Sequence, residues 1–294
     1  MGVKKIFALA ALASVLAGAI AQKNPYSGAD EATAALLERV DKLIEQQQYE
    51  SAFAAVSGGE NEYVLAKQIE ICINYFSQSM MHQMFAFKNL APGETLHDVR
   101  GGTGEFSMVM FNPVEAVAAF KKKNGEKPIL DYALGLYYDD VLSRYGEQWL
   151  VSEEELVSNT IEYLQKAFDG DCYDSYSLSV LGLAYYRLGD VVHARTVYEK
   201  KIDAGFALSA DDCFNLGAIC YRMNDFEKAL EYAAQSIEKY DDSPEYQSDA
   251  YIVCVRICIA MQHYAQAKKY LSECKARFPN DYRIVQQTIA VNAR

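Results

Sequence analysis

Leu216-Gly217-Ala218-Ile219-Cys220-Tyr221-Arg222-Met223-Asn224-Asp225-Phe226, followed by Ala229 and Ala233, decides the fold, because a near copy precedes it. That copy reads Leu181-Gly182-Leu183-Ala184-Tyr185-Tyr186-Arg187-Leu188-Gly189-Asp190, then Ala194 and Tyr198. A third, more worn copy keeps Cys254, Cys258, the turn Gln262-His263-Tyr264, Ala267, Leu271, Phe278 and Pro279. From Ala194 to Ala229 is 35 residues and from Ala229 to Ala267 is 38, and repeats of about 20 to 50 residues mark stacked architectures. Each copy splits into two apolar-periodic runs around a short polar turn, which predicts a helical hairpin. Gly182, Gly217, Ala194, Ala229 and Ala267 fall where the two helices must approach closely, and larger side chains there would force them apart.

The stretch from Tyr176 to Pro279 resembles the tetratricopeptide repeat family. Leu181, Gly182, Tyr185, Ala194 and Tyr198 match that family's spacing; the second copy matches at Leu216, Gly217 and Ala229, with Cys220 in place of the tyrosine, and the third at Ala267 and Pro279, with Val255 in place of the glycine. The resemblance implies an all-α, right-handed superhelical solenoid of antiparallel helical hairpins, here carrying an irregular loop insertion. It also implies that first-helix residues line a concave groove for an extended peptide or a partner helix. Carried over by position, the candidate groove residues are Tyr132, Leu136, Ser179, Leu183, Tyr186, Arg187, Phe214, Ala218, Tyr221, Arg222, Ile252 and Arg256, with Asp139 and Ile259 beside them. The Lys and Asn pattern with which some members clamp a C-terminal carboxylate is not reproduced, although Asn215 falls near one such place.

Met1 to Ala21 joins Lys4 and Lys5 to a short Ala-rich apolar run ending Ala19-Ile20-Ala21, the pattern of a secretory signal peptide. The expected location is therefore periplasmic or secreted. The whole chain carries a net charge of −12; residues 1–21 contain two lysines and no acidic residue, so their removal leaves −14. That balance argues against nucleic acid, whose phosphates need clustered Lys and Arg. The seven cysteines invite a disulfide reading, yet Cys213, Cys220, Cys254, Cys258 and Cys274 fall on faces the repeat assigns to packing, where Cys behaves as a small apolar residue. No Cys-x-x-Cys and no close histidine pair is present, so neither metal nor cofactor is expected.

Around the repeats the reading is coarser. Residues 22–112 form an N-terminal helical region: a flexible lead-in at 22–30, a hairpin over 32–56, a helix from Glu62 to about Phe87, and a Gly- and Pro-punctuated loop at 88–112. The Met80–Phe87 end is rich in Met and Phe, which suits an adaptable apolar contact. Arg100-Gly101-Gly102-Thr103-Gly104 lacks the strand-to-helix setting of a phosphate cradle. Residues 113–294 form the array. Asn112 and Pro113 open a helix ending in the solvated Lys121-Lys122-Lys123, and Tyr132-Ala133-Leu134-Gly135-Leu136-Tyr137-Tyr138 repeats the Leu-Gly and Tyr spacing, with its partner helix starting at Ser152. The clearest repeats are about 175–208, 210–243 and 248–281, and an apolar-periodic C-terminal helix caps the end. His82, His97, His193 and His263 lie in different segments, and no nucleophile motif is present. The expected function is a non-enzymatic scaffold binding a protein or peptide; the other reading is a small-molecule-binding accessory of a solute transporter.

Overall fold

A computed structural model describes residues 23–80, 83–240 and 244–292. The expected signal segment 1–21 lies outside these residues. The chain divides into two compact units between Ser177 and Leu178.

The first unit opens with α1 (Glu31–Glu45), capped by Asp30, and α2 (Tyr49–Val56). Then come α3 (Glu62–Asn74), β1 (Gln78–Met80), β2 (Met84–Ala86), α4 (Leu96–Arg100) and β3 (Val109–Met110). The strands form one antiparallel sheet in the order β1-β2-β3. α5 (Pro113–Asn124), α6 (Pro128–Tyr145) and α7 (Glu153–Asp169) complete the unit. α6 and α7 form a hairpin, and α6 also lies on α3. The Asn112 side chain accepts from the backbone of Val114 and Glu115, with Pro113 in the first turn, as the sequence predicts.

Three expectations need correction here. The helix expected to reach Phe87 stops at Asn74, because two arginines take its last carbonyls: Arg100 Nη2 donates to Asn74 O at 3.0 Å and Arg144 Nη2 to Ile73 O at 3.0 Å. Both guanidiniums also sit over the Phe76 ring, at 4.1 and 4.7 Å. Beyond that point the chain alternates, with Phe85 fully buried among Phe76, Phe87 and Phe53 while Met84 points the other way. Period 2 wins over period 3.6 because β2 has neighbours on both sides. Lys121 is not solvated; its Nζ meets the buried Asp131 at 2.6 Å. The lead-in expected to be flexible contains an ordered turn, in which the Tyr26 hydroxyl donates to Glu70 at 2.8 Å.

α8 (Ser175–Leu188) crosses into the second unit, followed by α9 (Val191–Asp203), α10 (Ala210–Arg222), α11 (Phe226–Lys239), α12 (Pro244–Ala260), α13 (Tyr264–Arg277) and α14 (Arg283–Asn292). Each tight turn inside a pair places one residue at positive φ: Gly189 at 87°, Asn224 at 60° and Gln262 at 60°. All seven cysteines are free and buried, and burial pushes the Cys213 and Cys258 thiols up to about 11.

The Leu-Gly positions are where helices touch. A Cβ on Gly135 would lie 2.4 Å from Leu164 Cγ, one on Gly182 would lie 2.7 Å from the Tyr198 ring, and one on Gly217 would lie 3.1 Å from the Ala233 backbone N. A buried polar knot holds the second unit at Lys201, which is 2% exposed. Its Nζ lies 2.6 Å from both Asp212 Oδ2 and Ser179 Oγ, and Ser179 Oγ donates to Asp212 Oδ1 at 2.6 Å. Burial alone would raise the Asp212 carboxyl; hydrogen bonds from Lys201, Ser179 and the Ser209 backbone outweigh it and hold the pKa below its usual value.

Two stability predictions follow from these contacts. Gly135→Val overpacks the α6–α7 crossing and is expected to cost about 2–3 kcal/mol in denaturant unfolding, an expectation lost if the variant unfolds with the wild type. Lys201→Met strands a buried carboxylate and is expected to cost about 3–5 kcal/mol at pH 7. Because Asp212 is depressed in the folded state, the pair's contribution is complete above the unfolded pKa of about 4 and fades as pH falls through the folded value, so the gap between wild type and variant narrows in acid. A pH-independent gap would contradict this assignment.

Candidate functional site

In the first unit, α1, α3, α6 and the turn at Asn24–Tyr26 line a cleft of about 580 Å³. Each helix contributes for a local reason. α3 is buried on nearly every face, so its polar Lys67 and Glu70 must find partners beside the cleft. α6 turns Tyr132, Leu136, Asp139, Asp140 and Ser143 toward it, positions spaced three and four apart along one side.

The lining includes six carboxylates (Glu38, Asp41, Glu70, Asp139, Asp140 and Asp174) and a single cationic side chain, Lys67. Lys67 Nζ donates to Asp41 at 3.0 Å and Glu70 at 2.8 Å, and lies 4.8 Å from the centre of the Tyr26 ring. Burial would lower this ammonium, but Glu70 and Asp41 together hold it above its usual value. The Tyr132 hydroxyl donates to Asp174 at 2.9 Å, and burial followed by that carboxylate drives its pKa far up. Tyr176 is 61% exposed at the margin. Asp140 pairs with Arg144 at 2.6 Å, outside the lining. Burial pushes the Asp140 carboxyl up to about 6, with Asp139 adding to the rise, and Arg144 and Arg100 bring it only part of the way back.

Tyr132 and Leu136 from the sequence-derived groove set are therefore brought together here, with Asp139 beside them. In the second unit the remaining positions have varied fates. Ser179 is held in the Lys201–Asp212 knot. Phe214 meets Tyr240 edge-on at 6.5 Å, and Ile252 is 2% exposed in the core rather than on a groove wall. Asn215 donates to the buried Tyr198 hydroxyl at 3.3 Å, so it has a structural partner. Leu183, Tyr186 and Ala218 are half-buried, whereas Arg187, Tyr221, Arg222 and Arg256 are exposed, with Arg222 5.3 Å from the Tyr186 ring centre. Tyr26, Asp41, Lys67 and Glu70 were not singled out by sequence. Only the Lys67/Glu70 spacing within the largely buried α3 could have pointed to them.

Among the described residues, no group of three or more His, Cys, Asp or Glu side chains could hold a metal ion. No helix among them is long and apolar enough to cross a membrane.

Residues 210–243, which contain the α10–α11 hairpin, match the family model described as tetratricopeptide repeat. No curated protein sequence matches the chain. Among solved structures, that of Pseudomonas aeruginosa pilF aligns with 87% of this chain and 96% of its own at 12% identity, with a TM-score of 0.53. PilW, a type IV pilus biogenesis factor, aligns over 88% and 99% at 14% identity and TM-score 0.49. YrrB, a tetratricopeptide repeat protein with an unusual peptide-binding site, aligns over 60% and 82% at 15% identity and TM-score 0.47. At 12% identity the likeness to pilF is one of fold, and with the match at 210–243 the chain is a mostly helical array of tetratricopeptide-type hairpins.

The Asp140 carboxyl predicts a pH signature. Its folded value of about 6 lies above the unfolded value of about 3.9, so between them the folded state keeps a proton the unfolded state has lost. Its contribution therefore lowers stability as pH rises from about 4 to about 6 and is level above that. Urea unfolding across this range should show Asp140→Asn lacking that decline, and parallel curves for the two proteins would refute the assignment.

Proposed function

We propose that this chain is a non-enzymatic interaction module, exported to the cell envelope or beyond, which holds a protein or peptide segment in the cleft between α1, α3 and α6. The observation that carries the reading is the meeting of Tyr132, Leu136 and Asp139, three first-helix positions, in a cavity with tyrosine on its walls and carboxylates in excess. Aromatic faces combined with surplus negative charge suit a segment bearing Lys or Arg, since a cation gains from both. The net charge of −12 favours a basic partner over the whole surface as well. The second unit fits this role less well, because Ser179 and Ile252 are committed to its interior and Arg222 covers Tyr186.

A second reading has one observation in its favour. A cleft of about 580 Å³ is within the range of small-ligand sites, about 300–1,000 Å³, as a small-molecule-binding accessory of a transporter would need.

Fluorescence anisotropy against Lys- and Arg-rich and Glu-rich peptides, with native mass spectrometry of the purified protein, separates the readings. Basic peptides should bind, weaken as salt rises, and lose at least about tenfold, or 1.4 kcal/mol, on Leu136→Lys, with the circular dichroism unchanged. Equal binding of acidic and basic peptides, or no effect of Leu136→Lys, would overturn the cleft reading. A small molecule co-purifying with the wild type and not with Leu136→Lys would favour the accessory reading instead.

A further inference from the structure

The three-stranded sheet aligns three methionines in one row. Met80 on β1 is the cross-strand partner of Met84 on β2, and Met84 is in turn the partner of Met110 on β3. Directly opposed residues project from the same face with Cβ atoms about 4.5–5.5 Å apart, so the three thioethers issue side by side, with Met84 in the middle. The opposite face of β2 carries Phe85, fully buried among Phe53, Phe76 and Phe87, which fixes the side from which Met84 projects. Met80 is 60% and Met110 78% exposed, with Met84 between them half-buried, so the row is open to solvent at its two ends. Methionine has three rotatable bonds and no branch, which lets neighbouring sulfurs turn toward a common point.

We propose that Met80, Met84 and Met110 form a thioether site for a soft monovalent cation, Cu(I) or Ag(I). The donor chemistry selects the metal: thioethers are soft, neutral ligands that favour Cu(I), whereas Mg²⁺, Ca²⁺ and Mn²⁺ need oxygen donors and Zn²⁺ takes thiolate, imidazole or carboxylate. Cys, His and carboxylate spacing, the usual sequence signs of a metal site, give no hint of this one. A row of thioethers escapes that pattern, since residue 110 joins residues 80 and 84 only through strand pairing. The seven cysteines are all buried in the fold and do not contribute to this surface. The site stands apart from the cleft reading and does not depend on it.

The test is an anaerobic Cu(I) titration of the folded protein against the chelator bathocuproine disulfonate, comparing wild type with Met80→Leu/Met84→Leu/Met110→Leu. Leucine keeps the bulk and apolar character, and every cysteine is present in both proteins, so any difference belongs to the thioethers. The wild type should withhold one equivalent of Cu(I) more than the triple variant, with sulfur scattering alone at the added copper in X-ray absorption. Ag(I), which does not change oxidation state in the experiment, should give the same difference of one. Equal uptake by the two proteins, or nitrogen ligation of the extra copper, would overturn the proposal. Single Met84→Leu keeps the assignment testable should the triple variant fail to fold: the central position predicts loss of that same equivalent, and its retention contradicts the site.

Discussion

The close crossing of paired helices at glycine is the constraint on which the other contacts depend. Gly135 meets Leu164 and Gly182 meets the Tyr198 ring at separations that leave no room for a side chain, and Gly217 meets the backbone of α11 at a separation where a Cβ would be tightly crowded. At the Gly182 and Gly217 crossings the second helix presents small or flat residues, and Ala194, Ala229, Ala233 and Tyr198 are all fully buried. Glycine weakens a helix interior by about 1 kcal/mol relative to alanine. Here it is retained because the alternative is steric overlap in a densely packed interior.

Close pairing also buries polar groups that must then find partners, most completely Lys201 and Asp212 and, in the first unit, Lys67. Lys201, Asp212 and Ser179 answer one another in the second unit; Lys67, Asp41 and Glu70 do so in the first. The two clusters differ in surroundings. The first is enclosed, with Lys201 and Asp212 at 2% and 1% exposure, and acts as a pin. The second borders a cleft that is also lined by Tyr132 and Leu136.

The hairpins were legible because their signal is local and steric: a Leu-Gly pair and an alanine beyond the turn recur in the first two copies, and the alanine holds in the third, although Cys220 replaces the tyrosine of the second copy and Val255 the glycine of the third. The caps at Asn112 and Ser152 were legible for a similar reason, as each serves a backbone group within three residues. What escaped depends on partners far apart in the chain. The end of α3 is set by Arg100 and Arg144, which are 26 and 71 residues from the carbonyls they cap. The cleft joins Tyr26 to Glu70 and Tyr132 to Asp174, pairs separated by 44 and 42 residues. The groove set carried over from the resemblance was uneven for the same reason. Tyr132 and Leu136 of that set line the cleft, but a fixed template could not register that Ile252 on α12 lies in the core.

The central claim is that a partner segment is seated against α6 in the cleft of the first unit. The most direct measurement is photo-crosslinking of bound Lys/Arg-rich peptide from a benzophenone side chain placed at Leu136 and, in a separate protein, at Arg256 on the exposed side of α12. The account predicts a peptide adduct from position 136, suppressed by excess unlabelled peptide, and none above background from position 256. Adducts from 256 alone, or equal labelling at both positions, would contradict it.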